Sequence, residues 1–402
     1  MNDPREVTVA DVHKAGRPAG RLTRDGDDVV FGYLPDHDGP AVASTLPLGV
    51  DETRATAGAV PPFFAGLLPE GARLQALITG ARTSTDDQLT LLLVGADAIG
   101  DVQVVPAGEE PSVPAPLLDP AAPGDVDFGV LFERATSPDA GGLDRVALPG
   151  VQVKASAAVV STPLGTTTGP AILKLDPSGR PHLVANEHFF LTMAAACGLP
   201  VPDHQLLRDA AGRAGLLVTR FDRVPGPPHR LAQEDACQVL GRYPAAKYRI
   251  SLQEAALALG RTVEDGGGSR PLALRRILEV AAFSYLIGNG DLHGKNLSVR
   301  QNPDGIWELT PAYDLLCTQP YASWSDPMAL DLYGRVAELG RRWWLDAAAR
   351  FGLPERAVIR SLDRIVAAAE PWIDRVGEIG FDDPTTQRLA DLLRTRRGEL
   401  TA

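Results

Sequence analysis

The stretch GNGDLHGKN, residues 288–296, places polar side chains, among them Asp291, His293, Lys295 and Asn296, directly after the apolar run LALRRILEVAAFSYLI. Apolar residues recur around most of the circumference of that run at helical spacing, which predicts a helix buried in a helical lobe and ending at Gly288 or Gly290. The polar residues therefore begin where the backbone leaves the core. This arrangement favours a site mounted on a rigid, buried helix.

Asp291 and Asn296 have the spacing of the catalytic loop of protein kinases, in which the Asp takes the proton of the substrate hydroxyl and the Asn holds magnesium. The following text, NLSVRQNPDGIWELT, predicts a β-hairpin that turns at residues 302–305. Asp314 comes after the second strand, so the hairpin returns it to the neighbourhood of Asn296. Two oxygen ligands placed in this way can share Mg²⁺, which takes the rest of its shell from water and phosphates.

Lys174 is the candidate cation for the phosphates of a nucleotide. It interrupts the apolar strand AILKLD, and the alternation of a strand puts it on the face opposite Leu173 and Leu175. An ammonium that faces the interior of a sheet is costly unless it meets an anion. The position therefore predicts a contact with a phosphate or a carboxylate.

Two further segments could complete a nucleotide site. In LPGVQVKAS, Gly150 stands at a turn before a strand, where backbone N–H groups can approach phosphate, with Gln152 and Lys154 as further donors. This loop matches neither the Walker A motif nor the usual glycine pattern of kinases. The text TRFDR ends the last upstream strand, and backbone groups at Thr219 and Phe221 could read the edge of an adenine.

The composition limits the classes of partner. A formal net charge of −12 over 402 residues argues against a protein that binds nucleic acid or anionic lipid by bulk electrostatics. The three cysteines have no disulfide or zinc spacing, which favours a reducing cytoplasm. The N-terminal text does not resemble a signal peptide, and no run approaches the roughly 18 apolar residues that span a bilayer. We expect a cytoplasmic protein without a membrane partner.

The chain divides into four segments by pattern and composition. Residues 1–105 read as a small mixed unit, and residues 106–125 contain six prolines, which predicts a stiff, exposed linker. Residues 126–222 carry β-type runs with the helix-like NEHFFLTMAAACGL between the last two of them. Residues 223–402 are mainly helical. These patterns predict an α+β protein with two lobes and an additional N-terminal subdomain.

The chain resembles the HipA family of serine/threonine kinases, the toxins of toxin–antitoxin pairs. The matching text is GVQVK, ILKL, NEHFFLTMAAACGLPVP, VTRFDR, QEDACQVLG, KY, GNGDLHGKNLSV and LTPAYDLL, in that order, with FFAGLLPEG in the N-terminal subdomain. The resemblance implies a protein-kinase-like fold and the cofactors ATP and Mg²⁺. It also implies a protein substrate, such as an aminoacyl-tRNA synthetase, and a HipB-like helix-turn-helix antitoxin that alone brings the protein to DNA.

The resemblance assigns roles to individual residues. Asp291 is implied as the catalytic residue, and Asn296 and Asp314 as metal ligands. The residues implied to contact the nucleotide form four groups: Pro149, Gly150, Val151, Gln152, Val153 and Lys154 over the phosphates; Lys174 on the phosphates; Thr219, Arg220 and Phe221 at the adenine; and His293, Gly294, Lys295, Asn296, Tyr313 and Asp314 around the phosphates and metal.

One position departs from the family pattern. Members often carry a serine three residues before the loop glycine, and its self-phosphorylation disrupts the nucleotide site. This chain has Ala147 there. Self-inactivation by that route is therefore not expected, and nothing assigns the role to Ser156 or Ser161.

Structural roles stay open for several of these residues. Asp291 could make ordinary turn hydrogen bonds, and His293 could be a hydrogen-bonded structural histidine. Lys174 could be a lysine at a sheet edge whose charge reaches solvent, and Lys154 a solvated strand residue. Glu187 either pairs with Lys174, as the helix glutamate of kinases does, or is a carboxylate favoured at a helix start.

Two other functions also stay open. An inert, nucleotide-binding pseudokinase could act as corepressor on a DNA-bound antitoxin. A small-molecule phosphotransferase could use similar Asp-x-His-x-x-x-Asn text. The presence of all the polar catalytic residues disfavours the first alternative, and the long N-terminal unit disfavours the second.

Overall fold

A computed structural model of the chain describes residues 3–95, 97–111, 116–136, 160–177, 179–226, 229–322 and 324–402. The strands in these residues are β1 (Val9–Lys14), β2 (Arg17–Asp25), β3 (Asp28–Tyr33), β4 (Thr53–Ala55), β5 (Val102–Pro106), β6 (Pro116–Leu118), β7 (Val160–Thr166), β8 (Gly169–Leu175), β9 (His204–Arg208), β10 (Ala214–Thr219), β11 (Gln233–Asp235), β12 (Ser298–Gln301) and β13 (Trp307–Leu309). The helices are α1 (Pro62–Gly66), α2 (Gly71–Ala81), α3 (Gln88–Val94), α4 (Phe128–Thr136), α5 (Leu183–Ala196), α6 (Ala236–Val239), α7 (Leu252–Asp265), α8 (Arg270–Ile287), α9 (Arg341–Arg350), α10 (Glu355–Ile373) and α11 (Asp383–Thr401).

The N-terminal unit, which comprises β1–β5 and α1–α3, is built on one antiparallel sheet with the strand order β4-β3-β2-β1-β5. In β3, DVVFGY, the three consecutive residues Val29, Val30 and Phe31 are all buried, so the sheet is covered more fully there than alternation alone predicts. Phe31 of β3 packs against Phe64 of α1, with 5.2 Å between the ring centres, in a core that also includes Phe63 and, from α3, Leu89. The unit therefore has a hydrophobic core of its own.

A second sheet has the strand order β6-β7-β8-β10-β9 and forms the small lobe. One of its faces packs on α4 through Leu173, Leu217 and Phe128. Lys174 lies on the opposite face, as the alternation of the strand predicts. Strand β9 was not predicted, because its text, HQLLR, shows no clean alternation.

The proline-rich segment is less exposed than its composition predicts. Strand β6 lies within it and pairs in parallel with β7, and Leu118 is buried in the small-lobe core. Leu118 contributes its apolar side chain to that core, whereas the neighbouring Leu117 is exposed. The expectation of an exposed linker is therefore wrong at β6.

The rest of the chain is a helical lobe around α8, whose apolar residues are buried on nearly all sides. Ser269 caps its first turn, and Gly288 ends it in the left-handed conformation at φ 75°. The predicted hairpin is present as β12 and β13, with β11 as the third strand of its sheet. The α+β architecture with two lobes and an N-terminal unit is confirmed.

Candidate active site

Lys174, Glu187 and Asp314 meet where the small lobe faces the helical lobe. Lys174 on β8 donates to Glu187 Oε1 on α5 at 2.6 Å and also to Asp314 Oδ1, which follows the hairpin. Pairing with Lys174 was one of two roles predicted for Glu187, and the structure shows this pairing. The sheet, the helix and the hairpin thus each supply one charge to a single cluster.

This charge cluster carries one cation and two carboxylates. Burial would lower the pKa of Lys174, but Asp314 and Glu187 outweigh it and hold the pKa well above its usual value. Burial raises the pKa of Glu187 to about 6. The Asp314 side chain is 32% exposed, whereas those of Lys174 and Glu187 are 10% and 3% exposed. The most exposed group of the cluster is therefore the carboxylate of Asp314, which suits the binding of a metal ion.

The loop after α8 folds around Asp291, which is buried. Its Oδ1 accepts a hydrogen bond of 2.5 Å from the hydroxyl of Tyr248, and its backbone oxygen accepts one of 3.2 Å from Asn296 Nδ2. The Asn296 amide nitrogen is thereby committed, which leaves its oxygen as the atom that could bind a metal ion. The carboxylate of Asp291 is oriented by its neighbours rather than left to rotate in solvent.

Asn289 joins this loop to the charge cluster. Its Oδ1 accepts from the backbone N–H of Asp291 at 2.9 Å, and its Nδ2 donates to the backbone oxygen of Asp314 at 3.2 Å. Asp314 has a left-handed backbone conformation at φ 54°, which is costly for a residue other than glycine. The bond from Asn289 is one of the contacts that hold it there.

Tyr313 fixes the end of the hairpin beside the same loop. Its hydroxyl donates to the backbone oxygen of Lys295 at 2.7 Å and accepts from Ser298 Oγ at 2.5 Å. Its ring lies 5.8 Å from that of Phe221, between ring centres. The structure therefore brings Tyr313, Asp314, Asn296 and Asp291 together, as the hairpin argument predicts.

Two of the residues implied to contact nucleotide direct their charges elsewhere. Lys295 Nζ donates to Gly66 O at 3.2 Å and lies 2.9 Å from Glu70 Oε1. Arg220 is enclosed and binds Asp97 at 2.8 Å and Asp222 at 2.7 Å. Each side chain thus binds an acidic residue of the N-terminal unit, so neither the ammonium nor the guanidinium is directed at the charge cluster.

His293 is buried against the ring of Tyr248, with 5.1 Å between the ring centres. Burial lowers its pKa to about 3, so the imidazole is neutral at ordinary pH. Its Nδ1 has no hydrogen-bond partner among the described residues. A neutral ring can donate or accept a hydrogen bond, but it cannot supply positive charge to a phosphate.

The segment predicted to bind adenine has partly committed backbone groups. The N–H of Thr219 donates to Asp203 O at 2.8 Å, and the oxygen of Phe221 accepts from Arg300. Pro149, Gly150, Val151, Gln152, Val153 and Lys154, which were predicted to cover the phosphates, lie outside the described residues, as do Ala147 and Ser156.

Tyr248 and Asn289 were missed as site residues in the sequence. Tyr248 was present only as the KY signature, and Asn289 lies inside GNGDLHGKN without a predicted role. Neither spacing nor polarity indicates that a tyrosine far from Asp291 in sequence will bind its carboxylate. The only available signal was that both residues lie in segments that match the HipA family.

The donor set fits magnesium better than a metal held wholly by protein. No group of three His, Cys, Asp or Glu side chains suited to a metal occurs among the residues that the structure describes. Asn296 and Asp314 would supply one amide and one carboxylate oxygen. Mg²⁺ commonly binds to one or two carboxylates and completes its shell with water and phosphate, so the two residues are sufficient in number.

Asp97 joins the N-terminal unit to three arginines, and we expect it to make the stability of the protein depend on pH. Burial would raise its pKa, but Arg220, Arg223 and Arg230 outweigh it and lower the pKa to about 2. A lowered pKa stabilises the fold above the ordinary value near 3.8, and this contribution disappears as pH falls toward 2. The expected loss is roughly 2 kcal/mol.

Urea unfolding at a series of pH values from 7 to 2 measures this contribution. Asp97→Asn should be less stable at neutral pH by about 3 kcal/mol, because it removes the carboxylate paired with Arg230 and leaves Arg220 and Arg223 to share Asp222. Its free energy of unfolding should then fall less steeply with acid than that of the parent. Equal slopes for the two proteins would contradict the assignment.

Comparison with known proteins identifies similar chains over the full length. Residues 146–373 match the model of the HipA-like C-terminal domain, and residues 10–105 match that of the HipA N-terminal domain. The protein Y4mE of Sinorhizobium fredii is 30% identical over 97% of this chain and 98% of its own. The serine/threonine-protein kinase toxin HipA of Shewanella oneidensis is 28% identical over 91% of this chain and 88% of its own.

A solved structure of Shewanella oneidensis HipA, in complex with HipB and its operator DNA, has the same fold. The TM-score is 0.76 at 22% identity, and the match covers 98% of this chain and 97% of that one. The predicted kinase-like fold is confirmed by this match. Among the described residues, no helix is both long and apolar enough to cross a bilayer.

Proposed function

The chain belongs to the HipA family, and on that premise we propose that it is a serine/threonine protein kinase that uses ATP and Mg²⁺. The observation that carries the proposal is the contact of Lys174 with both Glu187 and Asp314, next to the loop of Asp291. In protein kinases a strand lysine pairs with a helix glutamate, and a nearby Asp holds magnesium. A relative named as a serine/threonine-protein kinase toxin supports the same activity.

Each residue then has a separate task. Lys174 neutralises phosphate charge from the interior of the sheet, and Glu187 holds its ammonium in place. Asp291, whose carboxylate is oriented by Tyr248, accepts the proton of the attacking serine or threonine hydroxyl. Asn296 and Asp314 would hold Mg²⁺. The bound ion would offset negative charge on the transferred phosphoryl group.

The positions of these groups are set by the helical lobe. Asn289 forms hydrogen bonds with the backbone of both Asp291 and Asp314 and so fixes their relative position. Tyr313 holds the hairpin against the loop. Because phosphoryl transfer needs little covalent chemistry from the protein, correct placement and charge supply most of the rate enhancement. A rigid support of this kind suits that requirement.

For the substrate and partner, we extend the proposal by family resemblance. The substrate would be a cytoplasmic protein, such as an aminoacyl-tRNA synthetase or another translation factor, whose phosphorylation inhibits growth. A HipB-like antitoxin would be the partner, because the similar HipA is in complex with HipB and operator DNA. Contact with DNA would be made through that antitoxin, in keeping with the net charge of −12.

Quantitative phosphopeptide mass spectrometry tests the activity. Cytoplasmic extract is incubated with Mg·ATP and either the parent protein or Asp291→Asn. A phosphoserine or phosphothreonine peptide found only with the parent would establish the kinase and name its target. Equal peptide sets, with ATP binding confirmed, would contradict the proposal and favour a nucleotide-binding corepressor or a kinase of small molecules.

A further inference from the structure

Glu70 carries a buried charge from the N-terminal unit to the loop of Asp291. It lies at the start of α2, in the text LLPEG, and its side chain is 11% exposed. One carboxylate oxygen accepts from Lys247 Nζ, and the other lies 2.9 Å from Lys295 Nζ. These lysines are 1% and 2% exposed, so the three charges are enclosed together.

Both lysines belong to segments that shape the loop. The backbone oxygen of Lys247 accepts from the N–H of Gly294 at 3.0 Å. The next residue, Tyr248, donates its hydroxyl to Asp291. Lys295 lies within the loop, where its backbone oxygen accepts from Tyr313. Glu70 is therefore linked to Asp291 through Lys247 and Tyr248, and to the end of the hairpin through Lys295.

The packing at this point leaves little room for adjustment. A Cβ added at Gly294 would lie 2.4 Å from Ile250 Cδ1 and 3.0 Å from Cys237 Sγ. Removing the Glu70 charge would leave two buried ammonium groups without the carboxylate that both contact. We expect the lysines to move toward water, and because Gly294 is tightly packed and bonded to the backbone of Lys247, the 247–248 segment and the loop should shift with them.

We propose that Glu70 is a positioning residue through which the N-terminal unit holds Asp291 in the geometry for phosphoryl transfer. The inference rests on the proposed kinase function and assigns to the N-terminal unit a part in catalysis beyond its own fold. Glu70 does not contact the reacting groups. It acts through Lys247, Tyr248 and Lys295.

Glu70→Gln tests this role with little change of shape. The turnover number should fall by about 10²-fold, since a shift of about 1 Å in a catalytic group costs that much. The affinity for Mg·ATP should change by no more than about twofold, because Lys174, Asn296 and Asp314 are untouched.

Asp101→Asn is the matched control. Asp101 is also enclosed, and its Oδ1 accepts from the buried Lys14 at 2.8 Å, but both residues lie inside the N-terminal unit. Both variants remove the carboxylate partner of buried lysines, Lys14 in Asp101→Asn and both Lys247 and Lys295 in Glu70→Gln, and both should lose stability. Only Glu70→Gln should lose turnover, so an equal loss in the two variants would show a general effect of instability and overturn the proposal.

A double-mutant cycle with Tyr248→Phe separates positioning from general support. If Glu70 acts through Tyr248, the double variant should be hardly slower than the slower single variant. Losses that multiply fully would mean that the two residues act independently, which would overturn the proposal.

Hydrogen exchange gives a readout that does not need activity. Exchange of peptides covering residues 288–297 should quicken in Glu70→Gln and stay unchanged in Asp101→Asn. Unchanged exchange in both variants would overturn the positioning role. If the parent transfers no phosphate to any protein, the proposed function fails, whereas faster exchange at 288–297 would still place the loop under the control of Glu70.

Discussion

Asp291→Asn is expected to lower the turnover number by about 10²-fold to 10⁴-fold, because it removes the group that accepts the proton of the substrate hydroxyl. The substitution preserves the shape of the side chain. Its amide oxygen can still accept the hydrogen bond from Tyr248, so the buried loop should keep its conformation. The affinity for Mg·ATP should stay the same, since the predicted phosphate and metal ligands are elsewhere.

The measurement is the rate of phosphate transfer to the peptide that mass spectrometry identifies, together with calorimetric titration of Mg·ATP. Asp304→Asn is the matched control. It makes the same chemical change at an exposed position of the hairpin turn, where full turnover is expected. Parent-like turnover of Asp291→Asn would remove Asp291 from the role of base.

The sequence predicted those parts of the site whose conformation is determined by residues close together in the chain. The nearly continuous apolar surface of α8 and its glycine end placed the loop, and turn residues at 302–305 placed the hairpin. Alternation alone put Lys174 on the face that meets Glu187 and Asp314. Each of these inferences needs only residues that are close in sequence.

Contacts between distant segments could not be predicted in this way. Lys295 was expected to meet nucleotide, yet its ammonium binds Glu70 of the N-terminal unit. Arg220 was placed at the adenine, yet it binds Asp97. The sequence indicates that a buried lysine or arginine needs an anion beside it, but both a phosphate and a carboxylate meet that need. Only the tertiary fold decides which of them is within reach.

The position of Asp314 in the charge cluster predicts what removal of its carboxylate should do. Its carboxylate accepts from Lys174 and is the most exposed of the cluster, and its backbone is held by Asn289. Removing it leaves Lys174 paired with Glu187 at 2.6 Å, so the buried ammonium keeps a counter-charge. The fold should therefore survive a substitution that removes a metal ligand.

Asp314→Ala is expected to abolish turnover and to remove the dependence of ATP affinity on Mg²⁺, since the remaining ligand, Asn296, is a neutral amide. Calorimetric titration of ATP with Mg²⁺ and with a chelator measures this dependence in parent and variant. Glu187→Gln is the matched control, because it removes the other carboxylate on Lys174 and retains Asp314. The control should bind ATP more tightly with Mg²⁺ than without it. Unchanged Mg·ATP affinity in Asp314→Ala would contradict the metal assignment, and loss of Mg²⁺ dependence in both variants would assign the effect to Lys174 instead.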